Sequence, residues 1–283
     1  MTYRIRIVSA LVLPVIVSGC SSLWGMGYGQ EVRTGTSSSL VDYLYPDGSV
    51  PPAQTETLPH LDLPLRVGIA FVPGRYSPDG ISEAMKMSLL EGVKEQFVAQ
   101  EYIAHIDVIP DAYLRSNKGI AGMQQAARLY GVDVMALVSY DQVAVSEDNN
   151  AAFLYWTIVG AYMVSGTDNE VQTFVDTAVF DVATGRLLFR APGVDSRSDS
   201  STAVESLQVR RVGSEDSFVA AVGDMSGNLA VVLERFEDDV RNNTARASVS
   251  WREGSGGGAA GPFLLLLFTG LLACKVLQVR RAA

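Results

Sequence analysis

Arg66-Val67-Gly68-Ile69-Ala70-Phe71-Val72, closed by Pro73-Gly74, reads as a buried β-strand followed by a turn. Downstream, Met85, Leu89, Val93 and Phe97 recur every four residues, which predicts an amphipathic helix over roughly 82–100. Ile103 to Ile109, stopped by Pro110, is a second strand. Ile120 to Tyr130 is a second helix, with Gly131 as a left-handed cap, and Val132 to Val138 is a third strand. The β-α-β-α-β order calls for parallel strand pairs joined by right-handed crossovers. Ala151 to Val164 and Val171 to Val182 then read as long strands, and the turn Ala183-Thr184-Gly185-Arg186 leads into Leu187 to Arg190, forming an antiparallel meander. Ser196 to Thr202 reads as a polar loop. Phe218, Val222, Met225, Leu229, Leu233, Phe236 and Val240 form one apolar stripe, predicting a helix of roughly 215–241 that lies on the sheet. The expected fold class is α/β: a single mixed-sheet domain, β-α-β-α-β, then an antiparallel meander and a long C-terminal helix.

The rest of the chain differs in composition. Ser, Gly, Thr and Pro dominate before Leu65, with Pro51-Pro52, Pro59 and Pro64, so 20–64 is expected to be a flexible tether. Within it, Leu40 to Tyr45 is an apolar-aromatic island expected to dock on the domain, the alternative being that it binds a partner. The domain itself is expected over 65–245. A Gly-rich hinge follows over 246–261, then a transmembrane helix with a basic stop over 262–283. The chain has 283 residues, 48% hydrophobic and 19% charged, enough to bury the core of one mid-sized domain, and wholesale disorder is excluded. A net charge of −9 argues against a nucleic-acid binder, which needs a basic face.

The N-terminus carries an address. Arg4 and Arg6 precede the apolar run Ile7 to Val17, too short for a membrane span and suited to a secretory signal over 1–19. The segment ends Val17-Ser18-Gly19-Cys20, which resembles the bacterial lipobox. That resemblance implies cleavage by lipoprotein signal peptidase, acylation of the Cys20 thiol and anchoring in membrane lipid. In the lipoproteins it resembles, Asp after the Cys retains the chain at the inner membrane. Ser21 permits export to the outer membrane.

The C-terminus carries another. Gly254, Gly256, Gly257, Gly258 and Gly261 form a Gly-rich stretch before an uncharged run. Ala259 to Val279 is long enough as a helix, ~31 Å at ~1.5 Å per residue, to cross a ~30 Å hydrocarbon core if Lys275 snorkels. Arg280 and Arg281 mark the cytoplasmic side. Gly is worse than Ala in a helix by ~1 kcal/mol, so such a run offers a protease extended backbone without bulky side chains. This tail resembles the GlyGly-CTERM sorting signal, whose processing enzyme is rhombosortase, an intramembrane protease of the rhomboid family. A chain with both ends resembles the rhombotarget lipoproteins, and Ser37 to Pro46 also looks like a segment of that family. The resemblance implies processing somewhere in Gly254–Gly261. It places the precursor in the inner membrane, with Lys275, Arg280 and Arg281 as the topology stop, and the mature protein at the outer membrane or cell surface. The two ends conflict in destination while the tail is intact, and cleavage resolves the conflict.

The body offers little chemistry. Cys20 and Cys274 both lie in the ends, which leaves no thiol for a disulfide, a metal or a nucleophile. His60 and His105 lie in different contexts, and no metal-binding or phosphate-loop motif is present, so no metal, cofactor or catalytic residue is assigned. Asp133 and Asp141 flank the third strand, where ligand sites often sit. Phe153, Tyr155, Trp156 and Tyr162 form an aromatic island. The architecture resembles the small α/β domains of bacterial envelope lipoproteins, including penicillin-binding-protein activators and the N-terminal domain of TolB. The expectation is a non-enzymatic lipoprotein that binds an unknown envelope protein and no nucleic acid. The alternatives are an enzyme with an unrecognised site, or an oligomeric structural subunit held by a permanent C-terminal anchor.

Overall fold

The computed structural model describes residues 31–48, 58–74, 80–149, 162–242 and 247–252. Strand β3 (Leu65–Phe71) lies parallel to β4 (Ile103–Val108) on one side and to β5 (Val134–Asp148) on the other. Antiparallel β6 (Thr167–Asp181) and β7 (Leu187–Ser201) extend the sheet in the order β4-β3-β5-β6-β7. The expected mixed α/β architecture with a long C-terminal helix is the one observed.

Helices cover both faces because side chains alternate along the strands. Ile69 and Phe71 point to the face packed by α2 (Glu83–Phe97) and α5 (Ser206–Arg241); Ala70 and Val72 point to the other. That second face meets α1 (Leu40–Leu44), α3 (Ala112–Arg115) and α4 (Gly119–Tyr130) through Tyr43, Leu44, Leu114, Met123 and Ala127. The caps follow local chemistry. Ser82 Oγ accepts from the Met85 amide at 3.2 Å to start α2. Gly131, at φ +67°, ends α4 in the left-handed region. Helix α5 is long and apolar enough to cross a membrane by length and composition. Here Phe218, Val222, Met225 and Leu229 bury its stripe on the sheet, as its spacing predicts. Each fully buried side chain of this size contributes ~1.5–3 kcal/mol.

Three expectations require correction. The tether over 20–64 does not hold among its described residues. Val32–Ser38 is a strand, β1, paired antiparallel with β5 from Ser146 to Tyr140, and Tyr43 and Leu44 are buried, so the 40–45 island does dock. The physical reason is the length of β5. Beyond Val138 it outruns β3 and would leave one edge of its hydrogen-bonding groups unpaired, and β1 supplies the partner. His60–Leu63 is also a strand, β2, paired in parallel with β8 (Ser248–Trp251), so the body extends beyond 65–245 at both ends and the hinge does not begin at 246. Finally, Ser196 to Thr202 is not a loop, since β7 runs to Ser201 against β6. The strand expected over 151–164 lies outside the described residues except at its last three positions, where Tyr162 and Met163 are exposed.

The approach of α5 to the sheet depends on a missing side chain. A Cβ at Gly193 of β7 would strike the Ala221 carbonyl oxygen and the Met225 amide nitrogen. Gly193→Ala is expected to destabilise the domain by about 1–3 kcal/mol through overpacking. The check is a lower urea midpoint at unchanged m-value; an unchanged midpoint contradicts this packing.

Candidate functional site

The sorting residues Cys20, Ser21, Gly254, Gly256, Gly257, Gly258, Gly261, Lys275, Arg280 and Arg281 lie outside the described residues, as do Phe153, Tyr155 and Trp156. What the structure adds is the setting of the last described strand. Strand β8 closes against β2, and the Arg252 amide donates to the Leu63 carbonyl at 2.8 Å. The Arg252 guanidinium then donates to Asp133 Oδ2 at 2.7 Å. Arg66 donates to the same carboxylate from its backbone amide, at 3.2 Å, and from its guanidinium, at 3.0 Å through Nε. Asp133 therefore ties the first residues of β3, the entry to β5 and the residue after β8 into one knot. Partial burial alone would raise its pKa. The hydrogen bonds from Arg66 and Arg252 outweigh this and hold the carboxyl at about 2. Asp141, its sequence partner in the expectation, is an exposed residue within β5 and takes no part.

The β2–β8 ribbon has two chemically distinct faces, set by the period of two. Its outer face carries His60, Asp62, Ser248 and Ser250. His60 Nδ1 lies 2.9 Å from Ser248 Oγ, His60 Nε2 lies 3.1 Å from Ser250 Oγ, and Ser250 donates to Asp62 at 2.6 Å. These are the residue types of an acyl-transfer triad, but the wiring differs. Ser250 and Asp62 converge on the same ring nitrogen, and Ser250 gives its proton to the carboxylate. With side chains about half exposed, the set lacks the water-excluded setting in which such groups stabilise developing charge. It is a cross-strand ladder. His105, on β4, faces Asp107 at 3.3 Å. Among the described residues no group of three or more His, Cys, Asp or Glu side chains is placed to hold a metal ion.

The inner face of the ribbon carries Leu61, Leu63, Val249 and Trp251, and these form one wall of a cavity of about 680 Å³. Its floor is the sheet at Leu65, Val67, Val134 and Ala136; α2 contributes Val93 and Phe97, and α5 contributes Leu229, Leu233 and Phe236. Many of these large side chains are only half-buried. The volume falls within the ~300–1,000 Å³ of ligand pockets, and the lining is apolar with few polar groups, the composition such pockets share. The polar groups are Lys94, Gln100, Glu101, Tyr102 and Glu237. Burial first, and then the neighbouring Glu237 carboxylate, push the Tyr102 hydroxyl up to about 12.

A second polar cluster sits beyond the carboxyl end of β3, the position where parallel sheets hold ligands. Lys86 is buried, with Nζ 3.2 Å from Glu83 and 5.1 Å from the centre of the Tyr140 ring. Arg115 Nη2 donates to both carboxylate oxygens of buried Asp111, at 2.6 and 2.8 Å. Two cations face two carboxylates, and the cluster serves as an internal brace.

No family model matches the chain, and no curated protein matches it. Among solved structures, it is similar to a PelC variant dodecamer from Paraburkholderia phytofirmans, with 13% identity over 71% of this chain and 96% of that one, at a TM-score of 0.28. Protein XCC0632 from Xanthomonas campestris is 8% identical over 67% of this chain and 95% of that one, TM-score 0.32. Lipoprotein GNA1162 from Neisseria meningitidis is 12% identical over 61% of this chain and 99% of that one, TM-score 0.25. At these scores the likenesses assign neither fold nor function to this chain.

The Asp133 knot has a pH signature. A carboxyl whose folded pKa, about 2, lies below its ordinary value of 3.8 contributes stability that is complete above pH ~4 and lost as pH falls through about 2. Asp133→Asn is expected to unfold at a lower temperature than the wild type at neutral pH, with the gap shrinking between pH ~4 and ~2. A gap that stays constant across that window contradicts the assignment.

Proposed function

We propose that this protein is an exported lipoprotein of the bacterial cell envelope whose α/β body is a non-enzymatic binding module. It is lipidated at Cys20 and freed from a C-terminal membrane anchor by a rhomboid-family intramembrane protease cutting within Gly254–Gly261. The observation that supports this reading most directly is where the last described contacts lie. The last described strand and its clamp reach Arg252, and the Gly-rich stretch begins two residues later. A cut anywhere in that stretch removes the anchor and leaves every described contact of the fold in place. Ser21 then directs the lipidated body outward, to the outer membrane or cell surface, where it meets its envelope partner. Self-cleavage by the Ser-His-Asp ladder of the β2–β8 ribbon is the alternative with an observation behind it; the convergent wiring on one ring nitrogen argues against it.

The test is the intact mass of the protein recovered from cells with and without the intramembrane protease. The expected mature form carries acyl groups on Cys20 and ends within 254–261, and the protease-less form keeps its tail. Cys20→Ala should lose the acyl mass. Ser250→Ala should be trimmed like the wild type. Outer-membrane material that still contains Arg281 overturns the reading.

A further inference from the structure

We propose that the cavity behind the β2–β8 ribbon is a lipid site that takes one acyl chain of a zwitterionic phospholipid drawn from the bilayer. The proposal deepens the binding-module reading and rests on the tail being membrane-held in the precursor. Three observations lead to it. The first is size and lining. A methylene is about as large as a water molecule, ~30 Å³, so a space of about 680 Å³ has room for at least one long acyl chain. Leucine, valine and phenylalanine side chains from the sheet, α2, α5 and the ribbon surround that space, a surface that gains by contact with hydrocarbon and by little else.

The second is where the chain leaves the body. Trp251 lines the cavity, and Arg252 is the next residue. Only Glu253–Gly261 separates it from Pro262, the first residue of the anchor. Nine residues span at most ~30–32 Å in any conformation. In the precursor, the Trp251 wall of the cavity is therefore held within about that distance of the membrane surface. The chain's own lipid is poorly placed. Val32 pairs with Ser146, twelve residues along β5 from the cavity floor at Val134, ~40 Å away at ~3.4 Å per residue. Cys20 lies twelve residues before Val32, and twelve residues reach ~40–43 Å only when fully extended.

The third is charge in the lining. Lys94 pairs with Glu91 at 3.1 Å, so Glu101 and Glu237 leave the polar part of the lining net acidic. A head group that carries an ammonium meets these carboxylates favourably, whereas an anionic head without one meets them unfavourably.

The experiment uses the full chain reconstituted in mixed phosphatidylethanolamine and phosphatidylglycerol vesicles containing phosphatidylethanolamine with a diazirine on one acyl chain. Photolysis is followed by peptide mass mapping. Label on cavity peptides, such as those holding Leu233, Phe236 or Val249, as well as on 262–279, supports the proposal. Label on 262–279 alone overturns it and leaves the membrane-held precursor intact. The same result follows if the tail itself or a second copy fills the cavity. Cavity label without tail label supports the site and overturns the anchor; label on neither overturns both. Ala136→Phe fills the floor and should reduce cavity label at least five-fold with tail label unchanged. Should that variant fail to fold, competition on the wild type decides. Unlabelled lysophosphatidylethanolamine should reduce cavity label several-fold more than lysophosphatidylglycerol, and equal competition overturns the head-group assignment.

Discussion

One carboxylate organises the lower edge of this domain. Asp133 accepts from Arg66 near the start of β3 and from Arg252 just after β8, and it immediately precedes β5, the strand on which the sheet is built. Hydrogen bonds between charged groups are stronger than neutral ones, and here two guanidinium groups share one partly buried acceptor. The two cations bring together residues that are 67 and 119 positions from Asp133 in sequence. The short ribbon of β2 and β8 has four residues in each strand, too few to stand alone, and the clamp fixes it against the body.

The ribbon in turn defines the site. With hydrophilic residues outward and Leu61, Leu63, Val249 and Trp251 inward, it separates water from an apolar space that α2, α5 and the sheet do not fill. The clamp therefore holds up the wall of the cavity at the edge where the last described strand lies.

The sequence made the fold legible wherever apolar residues alternate or recur. Ile69 to Val72, Val134 to Val138 and the stripe on α5 were readable because burial there is achieved with aliphatic and aromatic side chains. It hid the far half of the sheet, where the inward residues are polar. Gln142 donates to Thr173 and to the Ser214 carbonyl, and Asn169 bonds to Ser146 and Ser201, all beneath α5. Hydrogen bonds satisfy these groups in the interior, so no hydrophobic pattern announces them. Strand β1, Val-Arg-Thr-Gly-Thr-Ser-Ser, is legible only as the answer to an unpaired edge. The clamp and the cavity are wholly tertiary: neither Arg252 nor Trp251 differs by composition from a linker residue until its partner is in place.

At the centre of this edge is the clamp that β8 and Arg252 make on β2 and Asp133. The direct measurement compares urea unfolding of two shortened chains, one stopped after Arg252 and one after Ala247. The account predicts that the first unfolds at the midpoint of the full-length protein, and that the second, lacking β8 and the cation on Asp133, unfolds at a clearly lower urea concentration. Equal midpoints for the two shortened chains would contradict it.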